Sequence, residues 1–457
     1  VTNSPNTTDV PMHDQMYRRD LHDGLVLRWS TIADVDGISE LYSYVFRSKE
    51  SDPPNHFLGF WVNDMMSGNH PNITANDFAV VEDTNTGKIV AATCLLRYQI
   101  TYGGIPMGFG RPEIVASMPE LRKRGLIRAI FELIHARSQA LGDLVQGITG
   151  IPNYYRQFGY EYAVELEGSH SVYFADIPQL KEGEAELYLI RPATLDDIPD
   201  LQRFYGYEVA HQPLASVITA EYWHYIIADL SKESGIWTAP AIISRADGTA
   251  IGYLLNGLLR WNDSVSIWGL ALAPGESYVK VMPSVLRWEQ QRALTIDFRP
   301  FDAPTIANRI FFEIGSTHPA CTALGKIAIS RGRPYAWYMR VTNISAFIQH
   351  IAPVLEQRMA NSIIAGYSGV TTINFYRGGL QLTFADGKLT EAAEWHRPAW
   401  TNADAGIPAL VFLQLLFGYR SLSELREIYP DVTANDTASV LLDALFPQQH
   451  SLFLQLD

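Results

Sequence analysis

The strongest constraint on the fold is a pattern that the chain writes twice. The first copy is "LVLRWSTIADVDGISELYSYVFR" from Leu25, and the second is "LYLIRPATLDDIPDLQRFYGYEV" from Leu187. Arg28 aligns with Arg191, Thr31 with Thr194, Asp34 with Asp197 and Val35 with Ile198. The apolar Ile38 and Leu41 align with Leu201 and Phe204. Each copy opens with strand-like residues, passes a threonine and an aspartate able to cap a helix, and continues with apolar residues at helical spacing. Two matching strand–cap–helix units imply two copies of one fold.

The residues after the first copy extend the unit. "FAVVED" and "GKIVAATCLLRYQITY" flank the turn "TNTGK" and read as a hairpin. "GRPEIVASM" reads as a further strand, "ELRKRGLIRAIFELIHARS" as an amphipathic helix, "DLVQGIT" as a short strand and "NYYRQFGYEYAVELE" as helix then strand. The order β, α, β, β, β, α, β, α, β describes an α/β domain built on a mixed sheet. After Val341 the character changes. "TTINFYRGGLQLTFADGKLTEA" alternates as a meander, "ALVFLQLLFGYRSLSELREI" and "ASVLLDALFP" read as helices, and "HSLFLQLD" closes as a strand-like tail with Leu452, Leu454 and Leu456 on one side.

Composition narrows the partners. A net charge of −14 over 457 residues argues against a nucleic-acid binder and suits a small cationic substrate. Cys94 and Cys321 stand far apart without histidine partners, so neither a disulfide framework nor a zinc site is expected, and a reducing compartment is. "VTNSPNTTDVPMHDQM" has no apolar signal core, and no apolar run reaches the ~18–20 residues of a membrane span. These features read as a cytoplasmic protein with no membrane span; its oligomeric state stays open.

The chemistry concentrates at the start of the amphipathic helix. Helix N-termini present N–H groups without internal partners and a partial positive charge. Gly125 lets a ligand approach the backbone, and Arg122, Lys123 and Arg124 add formal charge. Together they suit a pyrophosphate; the plain alternative is a solvated basic helix start. A Walker loop is absent, and "GFGRPE" does not make a dinucleotide fingerprint because it runs into a strand.

Arg122-Lys123-Arg124-Gly125-Leu126-Ile127 resembles the acetyl-coenzyme-A loop, Arg/Gln-x-x-Gly-x-Gly/Ala, of the GNAT acetyltransferase superfamily, with Ile127 at the last position. "NYYRQFGYEY" resembles its Tyr-x-x-x-Gly marker. Across the chain, with "YMRVTNISAF" and "LFGYRSLSEL", the architecture resembles the enhanced-intracellular-survival (Eis-like) family. That family has two GNAT-like domains followed by a domain like sterol carrier proteins. The resemblance implies a flexible arm at 1–24, a catalytic domain at 25–172, a degenerate second copy at 173–340 and the third domain with a functional tail at 341–457. It implies acetyl-CoA as cofactor, held by Val115, Ala116 and Ser117 on the strand, by Arg122 through Arg128 at the helix, and by Gly150 and Ile151 at the thiol end. Tyr155 would protonate the departing thiolate. The base would be Glu113 or the chain's own terminal carboxylate at Asp457, which offers two carboxyl groups. The second copy lacks the cofactor loop: "ALAPGESYVKVMPSVLRWEQQ" stands where it would fall. The reading is an N-acetyltransferase for a primary amine of an aminoglycoside, polyamine or lysine-like kind. Its rivals are a small-molecule or lipid carrier and a degenerate scaffold for interactions.

Overall fold

The computed structural model describes residues 10–457 apart from 167, 169, 211, 232, 235–237, 298–304, 316, 331–334, 397–401 and 452. The first run of elements is β1 (Arg18–Asp20), β2 (Leu25–Trp29), α1 (Val35–Val45), α2 (His56–Met66), β3 (Phe78–Asp83), β4 (Lys88–Tyr102), β5 (Ile105–Ser117), α3 (Leu126–Ala140), β6 (Val145–Ile148) and β7 (Glu161–Leu166). The second is β8 (His170–Tyr173), β9 (Tyr188–Pro192), α4 (Ile198–Val209), β10 (Leu214–Ser216), α5 (Ala220–His224), β11 (Thr238–Arg245), β12 (Ala250–Gly257), β13 (Ser264–Leu272), α6 (Tyr278–Ala293), β14 (Arg309–Phe312), α7 (Pro319–Leu324) and β15 (Ile329–Ser330). The third opens with β16 (Tyr335–Val341), α8 (Ile344–His350) and α9 (Ala352–Ala360), and surrounds a five-stranded sheet with further helices. The mixed α/β class expected from the sequence is the class observed.

Strand alternation builds the first core. Phe78 and Val80 of β3 pack with Ile38, Leu41, Trp61 and Met65 of α1 and α2. Their neighbours Ala79 and Val81 face the other side, against Leu126, Ile130, Leu133 and Ile134 of α3. A period of two in the strand thus sends alternate residues to two helical layers.

The repeated pattern makes the same local structure twice. Thr31 and Asp34 form a capping box, as do Thr194 and Asp197. Arg28 pairs with Asp34 at 2.6 Å and Arg191 with Asp197 at 2.7 Å. The strand orders also correspond: β2-β3-β4-β5-β6 in the first sheet, β9-β11-β12-β13-β14 in the second, each ending in a parallel pair. Asp197 accepts from Arg191 and from the backbone and hydroxyl of Thr194, which bring its pKa down to about 2 from 3.8. A carboxyl that binds its proton more weakly when folded stabilises fully above about pH 4 and loses that contribution as pH falls through 2. Asp197→Asn is expected to lower Tm by roughly 2–4 °C at pH 7. The gap to the parent should narrow below pH 4 in calorimetric melts.

Three features differ from the sequence reading. Residues 10–24 are docked: Tyr17 is buried, Trp29 donates to Met12 O at 2.9 Å, and β1 pairs with β2. The strand β16 inserts between β6 and β7 of the first sheet, and β8 joins the second. The expected boundaries at 172/173 and 340/341 therefore fall inside strands, because the chain crosses between sheets there. Among its described residues the tail forms no strand: Phe453, Leu454 and Leu456 are all buried in the core shared by the first sheet, α4, α5 and the third segment. Leu452 lies outside the described residues.

Candidate active site

β5 is paired with β4 along its length but with β6 only through Phe109 and Gly110, opposite Val145 and Gln146. From Arg111 onward the two parallel strands part, leaving one edge of β5 unpaired by β6. Where they part, Ile114 and Val115 together face Thr93 of β4, a β-bulge. Ile114 takes φ +49°, a left-handed conformation that β-branched residues rarely adopt. The extra residue puts Glu113, opposite Cys94, on the same face as Ile114 and Ala116, toward α1 and α2, while Val115 packs beside Phe131 and Ile148 on the other.

A cavity of about 210 Å³ opens at the parting. Glu113, Ile114 and Val115 line it from β5, Ile148, Thr149, Gly150 and Ile151 from the end of β6, and Phe46, Leu58 and Trp61 from the α1–α2 side. Tyr155 closes it. It sits in a 3₁₀ turn, Tyr154–Phe158, rather than the helix read from the sequence, with its ring packed on Phe131 and Tyr338. A Cβ added to Gly150 would stand 3.8 Å from the Tyr155 hydroxyl, so the expected thiol-end glycine and the tyrosine share one space. Burial holds the Tyr155 phenol well above its usual pKa, reinforced by the Glu113 charge. The hydroxyl stays protonated and can donate.

The basic helix start lies on the surface beyond this cavity. Gly125 is the N-cap of α3 at φ +81°, and a Cβ there would meet nothing within 4 Å. Lys123 also takes a left-handed φ of +65°. Arg122, Lys123, Arg124 and Arg128 are exposed, Leu126 is buried and Ile127 half-buried. Arg124 pairs with Asp23 at 2.5 Å, and Arg128 donates to Gln157 at 3.0 Å. This is an open, positively charged cradle over unpartnered helical N–H groups, and it fits a pyrophosphate.

The two candidate bases share one cation. Arg111, 1% exposed in its side chain, pairs with Glu113 at 2.7 Å and with the Asp457 carboxylate. It also donates to Gln455 at 2.8 Å and lies 5.3 Å over the Trp337 ring. Burial raises the Glu113 pKa; Arg111 works against that shift and Asp457 adds to it. Tyr222 donates to the Asp457 main-chain oxygen at 3.1 Å, Ser216 to Leu454 O at 2.6 Å, and Trp337 to Phe453 O at 3.3 Å. The tail is thus strapped between the first sheet and the second segment. Sequence reasoning missed Arg111 as the joint. Its signal was present: Arg111 and Glu113, two apart on a strand, face the same side.

The corresponding parting in the second sheet is filled. β13 pairs with β14 from Ser264 to Ile267 only, and just beyond it Leu270 N–H donates to the buried Glu208 at 3.3 Å. Tyr253 also donates to Glu208, and His318 donates to Leu270 O at 2.9 Å. Burial pushes Glu208 up to about 8.

Residues 27–163 match the family described as acetyltransferase (GNAT) domain. The chain carries a GNAT acetyltransferase domain. That domain makes it an N-acetyltransferase. Solved structures share the overall fold along nearly the whole chain. A GCN5-related N-acetyltransferase from Kribbella flavida is 17% identical at a TM-score of 0.63, covering 95% of this chain and 98% of that one. A conserved protein of unknown function from Enterococcus faecalis V583, described as a probable N-acyltransferase, is 14% identical at 0.67, covering 94% and 99%. Eis1 from Mycobacterium abscessus is 11% identical at 0.59, covering 93% and 98%. No curated protein matches the chain in sequence. Among the described residues no helix is long and apolar enough to cross a membrane, no cluster could hold a metal ion, and both cysteines are free and buried.

Proposed function

We propose that the chain moves an acetyl group from acetyl-CoA to a primary amine of a small cationic substrate, at a single site in its first domain. The observation that supports this best is the cavity where β5 and β6 part. There a protonated, buried Tyr155 hydroxyl and the Glu113 carboxylate face one space, beside the basic start of α3. Acetyl-CoA, when bound, supplies an acyl group activated as a thioester. The open edge of β5 at Val115, Ala116 and Ser117 would hold its pantetheine arm by strand addition. The α3 start, Arg122 through Arg128, would hold the pyrophosphate, with Gly150 and Ile151 beside the thiol.

Glu113 is the proton acceptor for the incoming ammonium, directly or through one water, because it lines the cavity. Asp457 sits on the other side of Arg111 and adds negative charge to the amine's surroundings. Tyr155 Oη gives its proton to the departing sulfur. The second copy, whose cleft is filled by Glu208, and the sterol-carrier-like third domain frame the substrate side, in the manner of the Eis-like family, in a cytoplasmic protein. The test is thiol release from acetyl-CoA over a panel of primary amines. Release should need both enzyme and amine. Acetyl-CoA binding without release over any primary amine would contradict the reading.

A further inference from the structure

The cavity at the parted strands has three walls of different chemistry. On the proposed reading, β5 and the end of β6 hold the thioester. The third wall, on the α1–α2 side, is Phe46, Leu58 and Trp61, with no charged side chain and no hydroxyl. Trp61 is 7% exposed, and its indole N–H has no hydrogen-bond partner among the described residues. Beside the cavity, the carboxylates of Glu113 and Asp457 flank the guanidinium of Arg111.

We infer that the acceptor is a monoamine with an apolar, arylalkyl-type body. Its ammonium meets the Glu113–Arg111–Asp457 group, and its body packs on Phe46, Leu58 and Trp61. A polyhydroxylated amine would press hydroxyls against this wall and lose hydrogen bonds to water without replacement. A polyamine would press its further ammonium groups against the same wall, where a charge without a partner is costly to bury. The inference rests on the cavity being the acyl-transfer site, and the experiment separates the two.

The experiment measures kcat/KM by thiol release for phenethylamine, spermidine and kanamycin at saturating acetyl-CoA, with calorimetric acetyl-CoA binding in parallel. Phenethylamine should exceed both others by on the order of tenfold or more. Leu58→Asn should raise KM for phenethylamine several-fold while kcat changes little. Phe46→Asn, at a position 39% exposed, serves as the second variant should Leu58→Asn fail to fold. Kanamycin or spermidine matching phenethylamine overturns the inference, as does acetyl-CoA binding without release over phenethylamine. A Leu58→Asn or Phe46→Asn enzyme that shifts preference from acetyl- to butyryl-CoA, with its amine preference unchanged, also overturns it, because the wall then serves the acyl group. Absence of acetyl-CoA binding removes the underlying reading itself.

Discussion

Tyr155→Phe is expected to keep acetyl-CoA affinity within a few-fold and to lower turnover by roughly 10²–10⁴. The substitution deletes one oxygen and leaves the ring on Phe131 and Tyr338, at centroid distances of 5.9 and 5.4 Å. The cavity walls therefore keep their shape, and only the proton donor is lost. Burial and the Glu113 charge both keep the phenol protonated, so the parent should show no loss of this acid across the neutral range. The measurement is kcat by single-turnover thiol release together with acetyl-CoA Kd by calorimetry. An unchanged single-turnover rate would return Tyr155 to a packing role. A parallel loss of cofactor affinity would make it a positioning residue.

Glu113→Gln is expected to cost a similar factor in kcat, roughly 10²–10⁴. The glutamine fills the same volume but cannot take the amine's proton. Activity of the parent needs ionised Glu113, whose pKa is raised by burial. The kcat/KM profile should therefore fall on the acid side through a pKa above the ordinary carboxylate value, and Glu113→Gln should lose that limb. Asp457→Asn, which leaves Glu113 in place, should mainly raise the amine KM. A dead Asp457→Asn enzyme beside an active Glu113→Gln enzyme would move the base to the tail.

The features legible in the sequence are those encoded locally. The strand–cap–helix units needed only Arg28, Thr31 and Asp34, and Arg191, Thr194 and Asp197, each set within seven residues. Gly125 was legible through the Arg-x-x-Gly pattern it completes, and its left-handed φ is one that glycine adopts without strain. Tyr155 was legible through its neighbours, although the turn it occupies is 3₁₀, set by Asn153 and Gly159 in left-handed conformations at either end. What escaped the sequence is non-local. Arg111 meets Gln455 across 344 positions, and no periodicity records that contact. The insertion of β16 between β6 and β7 depends on a chain that leaves for a second sheet and returns. Docking of residues 10–24 depends on backbone acceptors such as Met12 O and His13 O, reached by Trp29 and Arg137, which any residue type would supply. The filled second cleft rests on Glu208, an acid on an ordinary-looking helix face.

One cofactor is expected to bind per chain, in the first domain, and isothermal titration calorimetry with acetyl-CoA counts it. The open cradle at Gly125 and the second cleft occupied by Glu208 predict a stoichiometry near one, abolished by Gly125→Asp, which sets a negative charge where the pyrophosphate would lie. A stoichiometry near two, or binding that survives Gly125→Asp in a folded protein, would contradict it.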